Sequence, residues 1–320
     1  MMVTALCAAV ILFKLIMNAA LKKHNQGILA LIIANIIWGA ASPIFKWSLE
    51  NITPFTLAYW RFAVASLLLF PFCMKYLNFE KKDLPKLILL SLSGIFFNIT
   101  FFFFGLKYAP SINAPVIASS APIFIYLFSI FILHEKAKFK VLLGTLISFL
   151  GVFVIVIQPL LNRVDHLSYL GNILFLLATV GAVGHVIISK SLLNKYKPIT
   201  IIFWSFVIGS ISFLPFYLYE IFKYDPLQHL NIQGFSGLVF GILLSSLAAY
   251  YLYAWGMEKI KAQEVGLFTY IDPIIAGVIA IPLLGEEITL IFLLGAILIF
   301  TGIFVAEGRL HYHPLHILKR

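Results

Sequence analysis

The chain has 320 residues, of which 62% are hydrophobic and only 11% are charged, and its mean hydropathy is +1.01. So small a share of charged residues excludes a water-soluble globular protein. The apolar runs are continuous rather than alternating, which favours membrane-spanning helices over a transmembrane β-barrel.

Residues 1–27 form an N-terminal segment whose role the sequence leaves open. Its first 21 residues are apolar enough to cross a membrane, but they include Lys14 and have no counterpart later in the chain. A cleaved signal peptide places its basic residues before the apolar stretch, and this segment does not. We therefore expect either an additional hydrophobic helix or a translation start at Met17, which would leave a short basic leader.

Ten apolar segments follow, and each can cross about 30 Å of hydrocarbon as a helix of roughly 20 residues. Short polar breaks separate them, and no loop is long enough for a soluble domain. We predict an all-α integral membrane protein with one unit at residues 28–158, a second at 168–306 and a tail at 307–320. The predicted helices cover 28–49, 55–74, 86–107, 112–133, 140–158, 168–189, 198–219, 234–257, 263–284 and 288–306.

The net charge of +10 is distributed unevenly around these segments. If residue 28 lies in the cytoplasm, 17 of the 23 lysines and arginines fall on cytoplasmic loops or ends. Basic residues favour the cytoplasmic side of a membrane protein. The pattern therefore predicts that the main body begins in the cytoplasm and that the C-terminus also lies there. The charge reports topology, so we expect lipid rather than nucleic acid as its partner.

The two units match each other along much of their length. Gly105 to Gly151 and Gly256 to Gly302 share landmarks 151 positions apart, and a second matched stretch begins upstream. Each unit has five predicted crossings, an odd number, so we expect the second unit to be inverted relative to the first. Inverted duplication is typical of secondary transporters, whose substrate site lies between the repeats near the bilayer midplane.

Polar and aromatic side chains recur every three or four residues in several spans, a spacing that places them on one helix face. Trp38 lies on such a face in the first span, Asn98 in the third, and Tyr250 and Tyr253 in the eighth. Intramembrane polar groups usually turn away from lipid, and bulky amphipathic rings suit a hydrated pocket. We predict these four side chains as substrate-binding residues. Close helix packing is the alternative, above all for the glycines and serines that accompany them.

Asp272 lies near the middle of the ninth predicted span, where an acid costs about 2.5–3.5 kcal/mol. The following Pro273 lacks an amide donor and predicts a locally opened helix at this point. The matched residue in the first unit is Ala121, so only one unit carries the acid. We predict that Asp272 binds a substrate amine or carries a coupling proton. The alternative is a structural acid beside a proline kink.

Two further ionisable residues, Arg61 and His185, lie inside predicted spans and complete the predicted substrate-binding set. Arg61 can bind a substrate carboxylate through two parallel hydrogen bonds, pair with Asp272, or extend towards water at the outer surface. His185 can relay protons or pack at a helix interface.

The remaining ionisable patterns do not indicate chemistry. Glu135 and Glu286 end two spans at matched positions and are expected to cap helices or act as gates. The histidines of the tail are too weak a pattern to predict a metal site, and Cys7 and Cys73 have no disulfide or metal spacing. No nucleophile with its base and no filter-like loop stands out, so we predict neither an enzyme nor a channel, and no catalytic residue or cofactor.

An ordered set of short motifs runs through both units. They are Trp38-Gly39, Pro54 to Phe62, Pro122, and the triplets that end at Glu135 and Glu286. In order, spacing and duplication the chain resembles the EamA type of the drug/metabolite transporter superfamily over residues 28–306. The resemblance implies a ten-helix carrier with two inverted five-helix repeats. It also implies transport of small metabolites such as amino acids, usually outward, by alternating access.

We therefore expect a bacterial inner-membrane transporter that exports a small polar or zwitterionic metabolite, such as an amino acid or a related compound. Proton-coupled efflux of cationic or amphipathic drugs is the alternative. Small multidrug relatives depend on a glutamate in their first helix. The first predicted span, residues 28–49, contains no acid, but Asp272 can take the place of that glutamate. Cargo identity, direction, the coupling ion (a proton is one candidate) and the choice between monomer and homodimer stay open.

Overall fold

The computed structural model describes residues 23–121, 123, 124, 128, 139–161, 166–259 and 268–307. Within these ranges all regular secondary structure is helical. Seven helices are apolar and long enough to cross a membrane, and two shorter apolar helices lie at Phe268–Leu284 and Leu290–Val305. The prediction of an all-α, multi-pass membrane protein is confirmed. The N-terminal hydrophobic segment, Glu135 and the C-terminal tail lie outside the described residues.

The helices are numbered along the chain. The first unit contains α1 (Lys23–Ser48), α2 (Pro54–Cys73), α3 (Leu84–Ser91), the π-helical segment π1 (Leu92–Phe97), α4 (Asn98–Tyr108), α5 (Asn113–Ala118) and α6 (Phe139–Leu161). The second contains α7 (His166–Leu193), α8 (Pro198–Tyr224), α9 (Ile232–Val239), the π-helical segment π2 (Phe240–Ala248), α10 (Ala249–Met257), α11 (Ile271–Leu284) and α12 (Leu290–Glu307). Short 3₁₀ turns occupy Met74–Tyr76, Lys81–Asp83 and Phe268–Tyr270.

The sequence fixes several helix ends. Both α2 and α8 begin at a proline, Pro54 and Pro198. Proline suits a first helical position because its fixed φ is helical and its missing N–H has no intrahelical partner there. At the other end of a helix, Gly285 follows α11 with φ +64°, a left-handed conformation that glycine adopts without steric cost.

Helices α2 and α8, which occupy matched places in the two units, lie side by side and antiparallel. At one end, Glu220 near the end of α8 accepts a 2.7 Å hydrogen bond from the amide of Thr56 near the start of α2. At the other end, Trp204 Nε1 near the start of α8 donates to the carbonyl of Leu77, just beyond α2, at 3.1 Å. The two contacts require opposite helix directions.

The matched helices α6 and α12 also run antiparallel, and small residues form their interface. Gly151 packs on the backbone of Gly295, and Gly302 on the backbone of Gly144, so an early position of each helix faces a late position of the other. A side chain at any of these glycines would separate the helices, since small residues allow close backbone approach in membranes.

The main contacts between helices are preserved when the two units are exchanged. Helix α4 packs on α7, and its counterpart α10 packs on α1, the counterpart of α7. Helix α2 packs on its own counterpart α8, and α6 packs on its own counterpart α12. Inverted halves require antiparallel matched helices, and the two pairs described above satisfy this requirement. The full count of ten crossings stays a prediction, because part of the fourth span lies outside the described residues.

The two π-helical segments interrupt the third and eighth spans. With the 151-residue spacing of the repeat, π1 corresponds to residues 243–248, which lie within π2. A π-helical segment widens the helix and redirects backbone carbonyls, and such segments occur frequently at functional sites. Both units therefore carry the same irregularity at the same place, and the candidate site is built around it.

Candidate functional site

An aromatic cluster joins α1 to α10 beside π2. The ring of Trp38 lies 5.3 Å from that of Tyr250, edge to face, and 4.9 Å from that of Tyr253. The indole Nε1 of Trp38 donates a 3.2 Å hydrogen bond to the carbonyl of Ser245 within π2. All three rings are partly buried, and they form an aromatic cluster at the contact between the two units.

Asp272 lies directly against α1. A Cβ at Gly39 would approach the carbonyl oxygen of Asp272 to 2.8 Å, so the two backbones touch at this point. The carboxylate oxygen Oδ1 of Asp272 is buried and has no hydrogen-bond partner among the described residues. A buried polar atom without a partner is costly, which makes this oxygen a candidate ligand-binding group.

The sequence predicted a locally opened helix at Asp272, and the described backbone changes geometry just ahead of this residue. A 3₁₀ turn at Phe268–Tyr270 precedes α11, which begins at Ile271. Pro273 therefore lies in the first turn of α11, where its missing amide removes no intrahelical hydrogen bond. Asp272 also lies in this first turn, and the helix dipole favours a negative charge there. The change from 3₁₀ to α geometry, rather than a broken helix, positions the acid.

Arg61 crosses from α2 to π2. Its Nε donates to Ser246 Oγ at 2.7 Å and its Nη2 donates to Ser245 Oγ at 2.9 Å. The side chain is only 2% exposed, so it does not extend to water. It also makes no ion pair with Asp272, because no carboxylate oxygen of a described residue lies within 4.0 Å of it. Two of the three roles considered for Arg61 are therefore wrong in this conformation, and carboxylate binding remains.

His185 and Asn98 connect α7 to the third span. The Nδ1 atom of His185 lies 3.4 Å from the carbonyl of Leu90, near the end of α3 just ahead of π1, and its ring centre lies 6.3 Å from that of Tyr250. Asn98 donates from Nδ2 to the carbonyl of Ala178 at 2.7 Å. The structure thus brings Trp38, Tyr250, Tyr253, Asp272, Arg61 and His185 around one region between the units. Asn98 uses an amide proton to join α4 to α7.

An apolar cavity of about 390 Å³ lies next to Asp272. Tyr270 and Pro273, which flank the acid, both line it, and Gly277 opens into it. Its other lining residues are Ile112, Val116, Ile274, Ile288, Phe292, Ala296 and Phe300. Almost all of this lining is hydrocarbon, so the cavity suits an apolar group rather than a charged one.

Buried carboxylates join the helix ends on one side of the molecule. Glu286 lies 3.1 Å from Lys46 Nζ and accepts hydrogen bonds from the amides of Ser111 and Ile112, ahead of α5, at 2.6 and 3.0 Å. Glu286 thus binds the segment that leads into α5, and the choice between a helix cap and a gate stays a prediction. Glu220 holds the start of α2 in a similar way, accepting from Thr53 Oγ1 at 2.6 Å as well as from the Thr56 amide. These bonds close that end of the site.

The EamA-like transporter family matches residues 25–157 and again residues 169–307. The chain belongs to the EamA-like transporter family. Its members are transporters and not enzymes, so this EamA-like chain is a small-molecule transporter of the drug/metabolite transporter superfamily. The resemblance noted in the sequence is confirmed.

Several curated relatives of this EamA-like transporter have a similar length. An uncharacterized transporter of Archaeoglobus fulgidus is 31% identical over 268 residues, which cover 84% of this chain and 94% of the relative. The uncharacterized transporter YetK of Bacillus subtilis is 27% identical over 290 residues, covering 89% and 87%. An S-adenosylmethionine uptake transporter of Rickettsia bellii is 28% identical over 201 residues, covering 62% and 67%.

A solved crystal structure has the same fold. It aligns with a TM-score of 0.62 at 17% identity and covers 91% of this EamA-like chain and all of the other. At this level of identity the likeness concerns the fold and says nothing about cargo.

Sequence reasoning missed three side chains of the site in this EamA-like transporter. Neither Glu220 nor the serines Ser245 and Ser246 were singled out from the sequence. For the serines, the available signal was the presence of polar residues inside an apolar span. For Glu220, the signal was an acid near the end of an apolar helix, where it is only 5% exposed.

Proposed function

We propose that this transporter exports a small polar or zwitterionic metabolite, an amino acid or a related compound, by alternating access across a bacterial inner membrane. The proposed cargo site lies between the two units. We propose that Trp38, Asn98, Tyr250, Tyr253 and Asp272 line it, and Arg61 and His185 are the next candidates.

The unpartnered Oδ1 of Asp272 is the observation that carries this proposal. A carboxylate in a membrane interior usually has a partner or a function. A cargo ammonium group supplies the missing partner, and the faces of Trp38, Tyr250 and Tyr253 attract the same cation. A proton can occupy the oxygen when cargo has left, which couples transport to the proton gradient.

The carboxylate contacts at one end support an inward-facing state for this conformation. In the orientation proposed from the basic residues, Lys46, Glu220 and Glu286 lie at the outer ends of their helices. Their bonds then seal the site from the outside, so cargo exchanges with the cytoplasm in this state. Release to the outside requires the Lys46–Glu286 pair and the caps at α2 and α5 to separate.

Proton-coupled efflux of cationic or amphipathic drugs is the second candidate, and the same Asp272 together with the neighbouring apolar cavity favours it. The relative named as an S-adenosylmethionine uptake transporter is compatible with a cargo that combines an amino acid group with a positive charge. The name of that relative specifies uptake, so the direction of transport by this chain has to be measured and is not inferred from the relative.

Transport into proteoliposomes tests the proposal. We expect saturable movement of at least one of the twenty radiolabelled amino acids, changed by an imposed proton gradient. Asp272→Asn should lower the rate at least about tenfold, because the cargo or proton loses its charged partner. Asp225→Asn, which neutralises an exposed acid in the loop after α8, serves as the matched control and should leave the rate unchanged.

Two results would contradict the proposal. One is an Asp272→Asn protein whose amino acid transport and pH dependence equal those of the original chain. The other is a chain that moves no amino acid but transports the cationic dye ethidium in an Asp272-dependent manner, which would favour drug efflux.

A further inference from the structure

Among the described residues, Arg61 is the most deeply buried lysine or arginine. Its guanidinium carbon lies 5.0 Å from the centre of the Phe45 ring and 4.8 Å from that of Phe62. The hydroxyls of Ser245 and Ser246 complete its surroundings. These groups are dipoles and quadrupoles, and none of them carries a negative charge.

The contrast with Lys46 shows what Arg61 lacks. The side chain of Lys46 is 27% exposed, yet Glu286 neutralises it at 3.1 Å. Arg61 is almost completely buried, and none of the carboxylates in the described part of the chain lies within ion-pair distance of it. Burial of a charge without a counter-ion is strongly unfavourable. The more deeply buried cation is therefore the one that needs an anion from outside the protein.

The donors that remain on Arg61 suit such an anion. A guanidinium carries five N–H donors in a fixed planar fork. Bonds from Nε and Nη2 to the two serines hold the plane in place, and Nη1 donates to no described residue. Because the plane is fixed in advance, little conformational entropy is lost when a planar anion binds.

From this geometry we infer that Arg61 is the receptor for the carboxylate of the cargo. The inference rests on the proposed function and narrows its substrate class to carboxylates. Trp38 contacts both tyrosines and donates to the carbonyl of Ser245, whose hydroxyl binds Arg61. Gly39, the residue after Trp38, packs against the backbone of Asp272. A cation and an acid thus lie on either side of one aromatic cluster. A cargo with a carboxylate and an ammonium group offers a partner of opposite charge to each.

Binding of small carboxylates to the purified, full-length protein in detergent tests this inference without requiring transport. Thermal unfolding is followed while sodium benzoate or benzamide is added at matched ionic strength, and acetate is compared with acetamide. We expect the carboxylates to raise the unfolding temperature and the amides to have no such effect. Arg61→Gln should weaken carboxylate binding by roughly tenfold or more.

Three further variants separate recognition from folding. Arg61→Lys keeps the charge but loses the fork, and should retain part of the affinity. Ser246→Ala leaves the arginine in place but releases its Nε, and should weaken binding by a smaller factor. Lys107→Gln removes an exposed positive charge at the end of α4 and should have no effect.

The possible results distinguish the inference about Arg61 from the proposed function. Equal stabilisation by acid and amide would overturn the inference, and so would unchanged benzoate affinity in both Arg61→Lys and Ser246→Ala. Transport that does not distinguish an amino acid from its amide would also overturn it while leaving the proposed function intact. Carboxylate binding that depends on Arg61, in a protein that transports no amino acid, would support the inference and contradict the proposed function.

Discussion

The segments π1 and π2 have the same backbone irregularity at matched places, but different side chains surround them. In each case a ring nitrogen from the other unit approaches a backbone carbonyl. His185 lies 3.4 Å from the carbonyl of Leu90, just ahead of π1, and Trp38 donates at 3.2 Å to the carbonyl of Ser245 within π2. Only π2 also holds a charge, because its two serines bind Arg61. The duplicated backbone thus supplies the opening, and unmatched side chains supply the chemistry.

The helix ends show a similar contrast. Buried Glu220 and Glu286 close one side through amide and lysine donors. On the other side, Thr200 and Trp204 of α8 donate to the carbonyls of Tyr76 and Leu77, and a surface cluster links Glu80 to Lys195 at 2.6 Å. One end therefore relies on buried charges, whereas the other relies on neutral bonds and exposed ion pairs, so the two ends differ in what must be broken for them to open.

The largest effect is expected at π2. Replacing Ser245 and Ser246 together by alanine leaves Arg61 buried without its hydroxyl acceptors. Hydrogen bonds to charged groups contribute about 1.5–3 kcal/mol each, so the free energy of unfolding should fall by roughly 3 kcal/mol. Reversible unfolding in detergent, followed by tryptophan fluorescence, measures the loss.

The comparison variant in π1 is Ser93→Ala, which removes the serine of that segment. The hydroxyl of Ser93 donates only to the Leu90 carbonyl of its own helix, at 3.2 Å, and the expected loss is below about 1 kcal/mol. Equal losses at the two segments would show that the arginine does not distinguish them.

The next effect concerns the contact of π1 with α7. A Cβ at Gly94 would overlap the imidazole of His185, so Gly94→Ala should destabilise the protein by about 1–3 kcal/mol through overpacking. Gly277→Ala is the control, because a Cβ there meets no atom within 4 Å, and it should be neutral or slightly stabilising.

Thermal unfolding of these two variants and of Gly94→Ala combined with His185→Ala provides the measurement. The double variant should recover most of the loss, since the smaller side chain makes room for the added methyl group. If the double variant is no more stable than Gly94→Ala, the overlap with His185 is not the cause.

The smallest effect is expected at the exposed ion-pair cluster. Hydrogen bonds from Lys195 and then Lys82 hold the pKa of Glu80 below its ordinary value of 4.5. The folded state therefore keeps this carboxylate ionised to lower pH than the unfolded chain does. Its stabilisation is present at neutral pH and is lost as the pH falls through and below 4.5 towards the lowered value.

Unfolding temperatures of the original chain and of Glu80→Gln at pH 7 and pH 4 measure this contribution. The variant should differ slightly at pH 7 and less at pH 4, and high salt should reduce the difference, because the pair is exposed. A difference that grows as the pH falls would contradict the assigned sign.

Much of the site could be predicted from the sequence because regular helices repeat. Steps of three and four residues placed Tyr250 and Tyr253 on one face, and Asp272 was recognised as an acid inside an apolar span. The roles of Ser245 and Ser246 could not be found in this way. A regular helix turns consecutive side chains about 100° apart, whereas both serines of π2 reach Arg61.

Other features depend on contacts that no local pattern records. The closure of α2 by Glu220 joins residues 164 positions apart. The position of Asp272 in the first turn of α11 depends on where the 3₁₀ turn ends, and element boundaries are the least certain part of a sequence pattern. The predicted ten crossings and cytoplasmic ends remain predictions about topology.

One hydrogen bond has a meaning that follows from the duplication. Ser148 Oγ donates to the carbonyl of Ile299 at 2.9 Å, and these residues are 151 positions apart, so each is the repeat counterpart of the other. If the two units are inverted as predicted, a contact between counterparts lies on the pseudo-twofold axis that relates them. If the halves swap conformations during the cycle, points on that axis stay where they are. In that case the crossing of α6 and α12 would stay fixed while the other helices move around it.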